Sequence, residues 1–93
     1  MTRIKPSDQL HRAQDLPSTQ LDKETILMSV EAGAYFGFEG TAQFIWEALA
    51  DPITMTGLLE RIAGEFDVEP AACRADVEHF LNELLQEGLL RVA

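Results

Sequence analysis

The sequence predicts an α+β domain in which an antiparallel sheet of three strands is followed by three helices. Apolar and polar residues alternate in short runs before Gly40, as in strands, whereas apolar residues after Gly40 recur with a helical period. The length of 93 residues is enough for one modest core and too short for two. We therefore divide the chain into a flexible N-terminus, residues 1–9, and a single domain, residues 10–93.

The sheet is predicted from three short runs, which are LHRAQDL at 10–16, TILMSV at 25–30 and AYFGF at 34–38. Between the first two, PSTQLDKE supplies Pro, Ser and Asp for a turn. Between the last two, EAG predicts a tight hairpin turn in which Gly33 takes a positive φ. The third strand of such a meander lies at an edge, and its three rings, Tyr35, Phe36 and Phe38, cannot all face the core.

The three helices are predicted from end signals and apolar stripes. Thr41 can cap the first, which ends before Asp51-Pro52, and Thr54 can cap the second. Pro70 suits the first position of the third helix, which Gly88 ends. The stripes are Phe44, Ile45, Ala48 and Leu49; then Leu58, Leu59, Ile62 and Phe66; then Cys73, Val77, Phe80, Leu81, Leu84 and Leu85. A small sheet followed by three closely connected helices is typical of a winged-helix-like α+β domain.

The charge of the chain is strongly acidic and unevenly distributed. The formal net charge is −9, and residues 24–93 carry three basic side chains against thirteen acidic ones. Such a surface repels phosphate backbones, so we expect no nucleic-acid partner. No apolar run approaches the ~20 residues that cross a bilayer, so we expect no membrane partner either. The single cysteine excludes an internal disulfide and suits a reducing cytoplasm, which is the expected location.

The sequence contains no constellation that predicts an enzyme. His11 and His79 have no Cys or His at the spacing of metal ligands, so we expect no zinc site. The glycines are scattered singly, so there is no phosphate-binding loop. No carboxylate is assigned to a pocket by the sequence, so acid–base catalysis has no support. We therefore expect neither catalytic activity nor a cofactor.

An acidic margin accompanies the apolar stripe of the third helix. On a helical wheel Asp76, Glu83 and Glu87 fall together beside Phe80. This margin is either an ordinary solvated helix face or the wall of a groove for an extended peptide with apolar anchors and basic residues.

Three groups of residues carry a resemblance: Gly-x-Tyr-Phe at 33–36, Ile45-Trp46, and Asp76-Val77-x-x-Phe80-Leu81 with Gly88-Leu89-Leu90. In their order and spacing, residues 22–90 resemble the PqqD-like family, the recognition elements of pathways that modify ribosomally made peptides (RiPP recognition elements). Within this family the chain looks closest to the standalone leader-peptide-binding protein of lasso-peptide biosynthesis.

The resemblance implies a non-catalytic winged-helix-like domain that binds the leader segment of a precursor peptide. The leader is expected to lie as an extra strand along the third strand, facing the third helix. It is then delivered to a modifying enzyme, in the lasso-peptide case a leader peptidase, and we expect the chain to be a monomer or a weak dimer. The corresponding peptide-binding positions are Ala34, Tyr35, Phe36, Gly37, Phe38, Arg74, Asp76, Val77, Phe80, Leu81 and Leu84.

Several aromatic and sulfur side chains also have an ordinary structural explanation. Alternation buries one face of the third strand, so Phe38 and either Tyr35 or Phe36 are expected in the core. Trp46 lies off the stripe of its helix, so it either packs under the N-terminal strand, which we favour, or is exposed at the surface. Cys73 lies on an apolar stripe and is expected to be a buried small hydrophobe.

Two other functions compete with peptide binding. A winged-helix DNA-binding regulator needs Arg, Lys, Asn or Gln on its recognition helix, whereas the third helix offers Arg74, Asn82 and Gln86 against four carboxylates. A small acidic carrier protein needs an exposed serine at a helix start, and the three serines all lie in the N-terminal third.

Overall fold

The structure, a computed structural model, describes residues 4–13, 18–21, 24–29 and 33–92. None of the helices in these ranges is both long and apolar enough to cross a membrane. The elements are β1 (Gln9–Arg12), β2 (Ser18–Leu21), β3 (Glu24–Ser29), β4 (Ala34–Glu39), α1 (Thr41–Ala48), β5 (Ile53–Thr54), α2 (Met55–Phe66), α3 (Pro70–Gln86) and β6 (Leu90–Val92).

The strands β2, β3 and β4 form an antiparallel sheet in that order. In the described part of the chain, β4 is hydrogen-bonded on one side only, to β3. The predicted aromatic strand is therefore an edge strand. Gly33, directly before it, has a φ of 65°, which confirms the prediction of a left-handed conformation there. The other residues of the expected turn, 30–32, lie outside the described residues.

The prediction that the first strand belongs to this sheet is wrong. Residues Gln9–Arg12 do form a strand, but β1 lies at the centre of a second sheet, between β5 and β6. The place of the first strand in the meander is taken by β2, which forms within the run that the sequence assigned to a turn. Ser and Thr favour turns only weakly, and the ladder with β3 outweighs that local preference.

The N-terminal stretch that the sequence sets apart is described from residue 4. Ile4 is 4% exposed and belongs to the core, and the carbonyl oxygen of Pro6 accepts a hydrogen bond from the amide of Thr56 at 3.3 Å. The backbone N–H of Lys5 donates to Oδ2 of Asp8 at 2.9 Å. The division of the chain at residue 9 stays a prediction.

The predicted helices are present, with one change at a helix start. Thr41 is the first helical residue rather than the cap, because Gly40 takes the N-cap position with a φ of 60° and no side-chain hydrogen bond. The cap predicted at Thr54 is confirmed, since its hydroxyl accepts from the amide of Gly57 at 3.0 Å. Gly88 follows α3 with a φ of 75°, as its role as a stop requires.

A single core joins both sheets and all three helices. Fully buried leucines come from β1, β3, α2, α3 and β6, namely Leu10, Leu27, Leu58, Leu81 and Leu90. Burial of each such side chain stabilises the fold by roughly 1.5–3 kcal/mol. The predicted α+β class, antiparallel strands with three helices, is therefore confirmed, and the two short strands β5 and β6 are additions to it.

Trp46 packs under the N-terminal strand, as predicted. The indole is buried, and the guanidinium carbon of Arg12 on β1 lies 5.4 Å from the ring centroid. Nη1 of Arg12 also donates to the carbonyl oxygen of Trp46 at 3.4 Å. The motif residue Trp46 thus fixes α1 to the second sheet.

Candidate functional site

A cleft of about 830 Å³ lies between the edge strand β4 and the C-terminal half of α3. Alternation along β4 turns Phe36 and Phe38 towards the helix, and both rings line the cleft. Phe38 is buried, at 6% exposed, and its ring meets that of Phe80 edge to face with 5.7 Å between centroids. Strand and helix are therefore joined through aromatic contacts beside the edge of the sheet.

The helix residues predicted for the site divide between core and cleft. Val77 and Leu81 are buried in the core, and neither lines the cleft. Leu84 is buried as well, yet it lines the cleft. Phe80 is only partly buried and remains accessible from the cleft. The ring of Phe80 is thus the largest apolar side chain that α3 offers to a ligand here.

The other face of β4 points away from the helix. Tyr35 is 75% exposed and is therefore the aromatic residue of this strand that is not core, which settles the choice between Tyr35 and Phe36. Gly37 lies on the same exposed face, where a Cβ would come within 2.7 Å of Oε1 of Glu24. The backbone of Ala34 pairs with Ser29 at the start of the strand. Tyr35 and Gly37 thus border the edge without lining the cleft.

Arg74 and Asp76 do not line the cleft. Nε of Arg74 lies 3.1 Å from Oε1 of Glu78, one helical turn further on, and both side chains are substantially exposed. Asp76 lines a second cavity, described below. The predicted acidic margin therefore splits, because Glu83 and Glu87 line the cleft and Asp76 does not.

The acidic wall of the cleft includes a histidine. Nε2 of His79 lies 2.7 Å from Oε1 of Glu83, and both side chains are largely exposed. Beyond the predicted peptide-binding positions and the acidic margin, the residues that line the cleft are His79, Asn82, Leu85, Gln86 and Leu89. Helical spacing is the signal that finds two of them, because His79 and Gln86 lie four and three residues from Glu83 and share its helix face. It does not find Asn82, Leu85 or Leu89.

A second cavity, of about 410 Å³, lies on the other side of Phe80. Its lining comes from α1, the end of α2 and the first half of α3, and it includes Phe66 and Cys73. The ring of Phe66 meets that of Phe44 edge to face, 5.4 Å between centroids. Cys73 is only partly buried, and its thiol lies 3.5 Å from the carbonyl oxygen of Pro70. Cys73 packs against the core as a small hydrophobic residue, as predicted, but its burial is only partial.

The chemistry of these surfaces is that of binding. The described residues contain no group of three or more His, Cys, Asp or Glu side chains that could hold a metal ion. What the cleft offers instead is an edge of a sheet, aromatic and aliphatic side chains, and a carboxylate wall. This combination suits an extended chain better than a small polar molecule.

Comparison with known proteins identifies the family. Residues 24–90 match the family model described as coenzyme PQQ synthesis protein D (PqqD). The fold is similar to a solved structure described as TbiB1 in complex with the TbiA(beta) leader peptide, with a TM-score of 0.75. The two sequences are 25% identical, and the likeness covers 85% of this chain and 93% of that one. No curated protein matches the chain. Because the family model spans well over half of the sequence, the resemblance read from the motifs is confirmed, and the chain belongs to the PqqD family.

Proposed function

We propose that this protein is a non-catalytic recognition element that binds the leader segment of a ribosomally made precursor peptide. The leader adds a strand to the edge of β4 and faces α3. Membership of the PqqD family supports this function, and so does the similarity to TbiB1 in complex with a leader peptide. The proposed contacts come from the predicted site residues on β4 and α3, with Arg74 and Asp76 outside the cleft itself.

The observation that carries the proposal is the edge of β4 beside the cleft. Backbone N–H and C=O groups of an edge strand can pair with a guest strand, which supplies affinity with little dependence on sequence. Alternate side chains of that guest would enter the cleft between Phe36 and Phe80, and the fit of these side chains would make binding selective for the peptide sequence. The carboxylates of Glu83 and Glu87 favour a guest with a basic residue near its apolar anchors.

The bound leader is delivered to a processing enzyme, for which a leader peptidase is our candidate. The support is the resemblance of the motifs to the recognition proteins of lasso-peptide pathways, together with the similarity to the leader-bound TbiB1. We propose that the protein acts in the cytoplasm as a monomer or weak dimer, consistent with its single cysteine.

Hydrogen exchange tests the added strand directly. The probe is a synthetic peptide with the leader sequence of the precursor encoded beside this gene, hereafter the leader probe. An edge strand directs alternate residues outward, so saturating probe should slow exchange at every second amide of Ala34–Glu39. A scrambled peptide of the same composition should leave these amides unchanged. Unaltered exchange along β4 at saturating leader probe would contradict strand addition.

A further inference from the structure

The sheet of β2, β3 and β4 has a second face, directed away from the cleft, which we call the outer face. Alternation places Glu24, Ile26 and Met28 of β3 on this face, because Thr25 and Leu27 between them are buried. Ile26 and Met28 are half-buried, yet neither packs against the core that the described residues form. The outer face therefore presents apolar side chains that the core does not use.

The strand β4 extends this apolar surface. Its register places Tyr35 opposite Met28 and Gly37 opposite Ile26. The side chain of Tyr35 is 75% exposed, so its ring lies on the outer face beside that of Met28. Gly37 has no side chain to cover Ile26, although a Cβ there would lie only 3.6 Å from Cδ1 of Ile26. The three side chains thus form an apolar patch that is open to another molecule.

Two carboxylates lie at the end of the same ladder. Glu24 is directly opposite Glu39, and both side chains belong to the outer face. Among the described residues neither carboxylate has an ion-pair partner, and like charges directly opposite each other destabilise a sheet. A cation from a partner would remove this repulsion. The outer face therefore complements a protein surface that presents an Arg or Lys beside apolar side chains.

We propose that the outer face binds the processing enzyme that receives the leader, through such a basic and apolar surface of the enzyme. This inference rests on the proposed function. A guest strand on β4 directs alternate side chains to the two faces of the extended sheet, so one set of them would lie beside Tyr35. The enzyme would then contact the leader while the cleft holds it. A second copy of this chain complements the face poorly, because the described side chains of the face include no Lys or Arg.

Binding to the processing enzyme encoded beside this gene, measured by surface plasmon resonance at saturating leader probe, tests the outer face. Met28→Lys keeps a long aliphatic stem and adds a cation opposite the expected basic surface, so it should weaken enzyme binding roughly tenfold or more. Met28 lies on the middle strand and lines neither cavity, so the affinity for the leader probe should stay close to that of the wild type. If this variant does not melt cooperatively, the variant of Glu24 described next decides alone.

Glu24→Gln separates a contact with the enzyme from an effect on the fold. It keeps the shape and removes the repulsion from Glu39, so the melting temperature should stay the same or rise. Enzyme binding should nevertheless weaken roughly three- to tenfold at low salt. Glu60→Gln on α2 is the matched control, since Glu60 is exposed and lines neither cavity, and it should bind the enzyme as the wild type does.

The outcomes distinguish this inference from the proposed function. Enzyme binding that is unchanged in the variants of Met28 and Glu24, or absent in the wild type, would overturn the docking surface. The proposed function would still stand if the leader probe protects the amides of β4. Absence of that protection would overturn the proposed function, and this inference with it.

Discussion

Phe80 lines both the cleft and the second cavity, and its truncation gives the sharpest test of apolar anchoring. Phe80→Ala should weaken binding of the leader probe by roughly 2–4 kcal/mol, as loss of a central aromatic anchor does. Some stability is lost too, because the ring packs edge to face on Phe38. Fluorescence anisotropy with a labelled leader probe measures the affinity, after a melt has shown that the variant still unfolds cooperatively.

The control for this prediction is a variant with a similar cost in stability away from the cleft. Ile53 on β5 is half-buried against the core and lines neither cavity. Ile53→Ala should lower the melting temperature while leaving the affinity for the leader probe close to that of the wild type. Equal losses of affinity in both variants would show that Phe80 acts through stability alone.

The carboxylates beside Phe80 should contribute less than its ring. Asp76→Asn and Glu83→Gln keep the shape and remove one charge each, and both side chains are exposed. Each should weaken binding by about 0–1 kcal/mol, with a loss that shrinks as salt is added. Titrations at low and high ionic strength measure this. A larger loss that salt does not reduce would mean that the carboxylate is desolvated against the leader.

For single residues, the sequence predicts which side chains are apolar or acidic contacts better than it predicts which of the two cavities each one lines. Alternation correctly assigns Phe38 to the core, and the helical wheel correctly brings Glu83 and Glu87 to the side of Phe80. It cannot show that Asp76 falls in a separate cavity, because that depends on where α1 and the end of α2 pack. Their position follows from long-range contacts that no local period encodes.

Among the elements, α2 provides a test that is independent of any ligand. Thr54→Ala removes the hydroxyl that accepts from the amide of Gly57, so the free energy of unfolding should fall by about 1 kcal/mol. Thr54→Ser keeps an oxygen in place and should retain most of that stability. Urea denaturation of the three proteins measures the difference. An equal loss in the serine variant would assign the effect to the methyl group instead of the cap.

The helices and the β3–β4 hairpin were predictable because their signals are local. Caps, apolar stripes and Gly88 lie within the segments that they define. The second sheet was not predictable, since β5 has two residues and β6 has three, too few for a visible alternation. They exist because β1 lies between them, and β1 and β6 are paired across almost the whole chain.

For the whole molecule, acidity and the composition of its surfaces predict what the purified protein will not do. It should neither cleave nor modify the precursor, and a chelator should leave its melting temperature and leader binding unchanged. It should not bind duplex DNA, since its net charge is −9, whereas binding of the leader probe should survive about 0.5 M salt. Mass spectrometry of the incubated precursor and gel-shift titrations check both. Turnover by the isolated protein, or salt-sensitive DNA binding, would contradict the assignment.

The pairing of β1 with β6 has a mechanical consequence. Leu10 lies opposite Val92 and Arg12 opposite Leu90, so a pull on residues 9 and 92 loads the same end of one antiparallel ladder. Its hydrogen bonds run across the strands and would open one after another, as in a zipper, instead of resisting together in shear. The strand β4 belongs to the other sheet and is not part of that ladder. Under tension the domain yields first at its second sheet, while the edge that we assign to the leader keeps its shape.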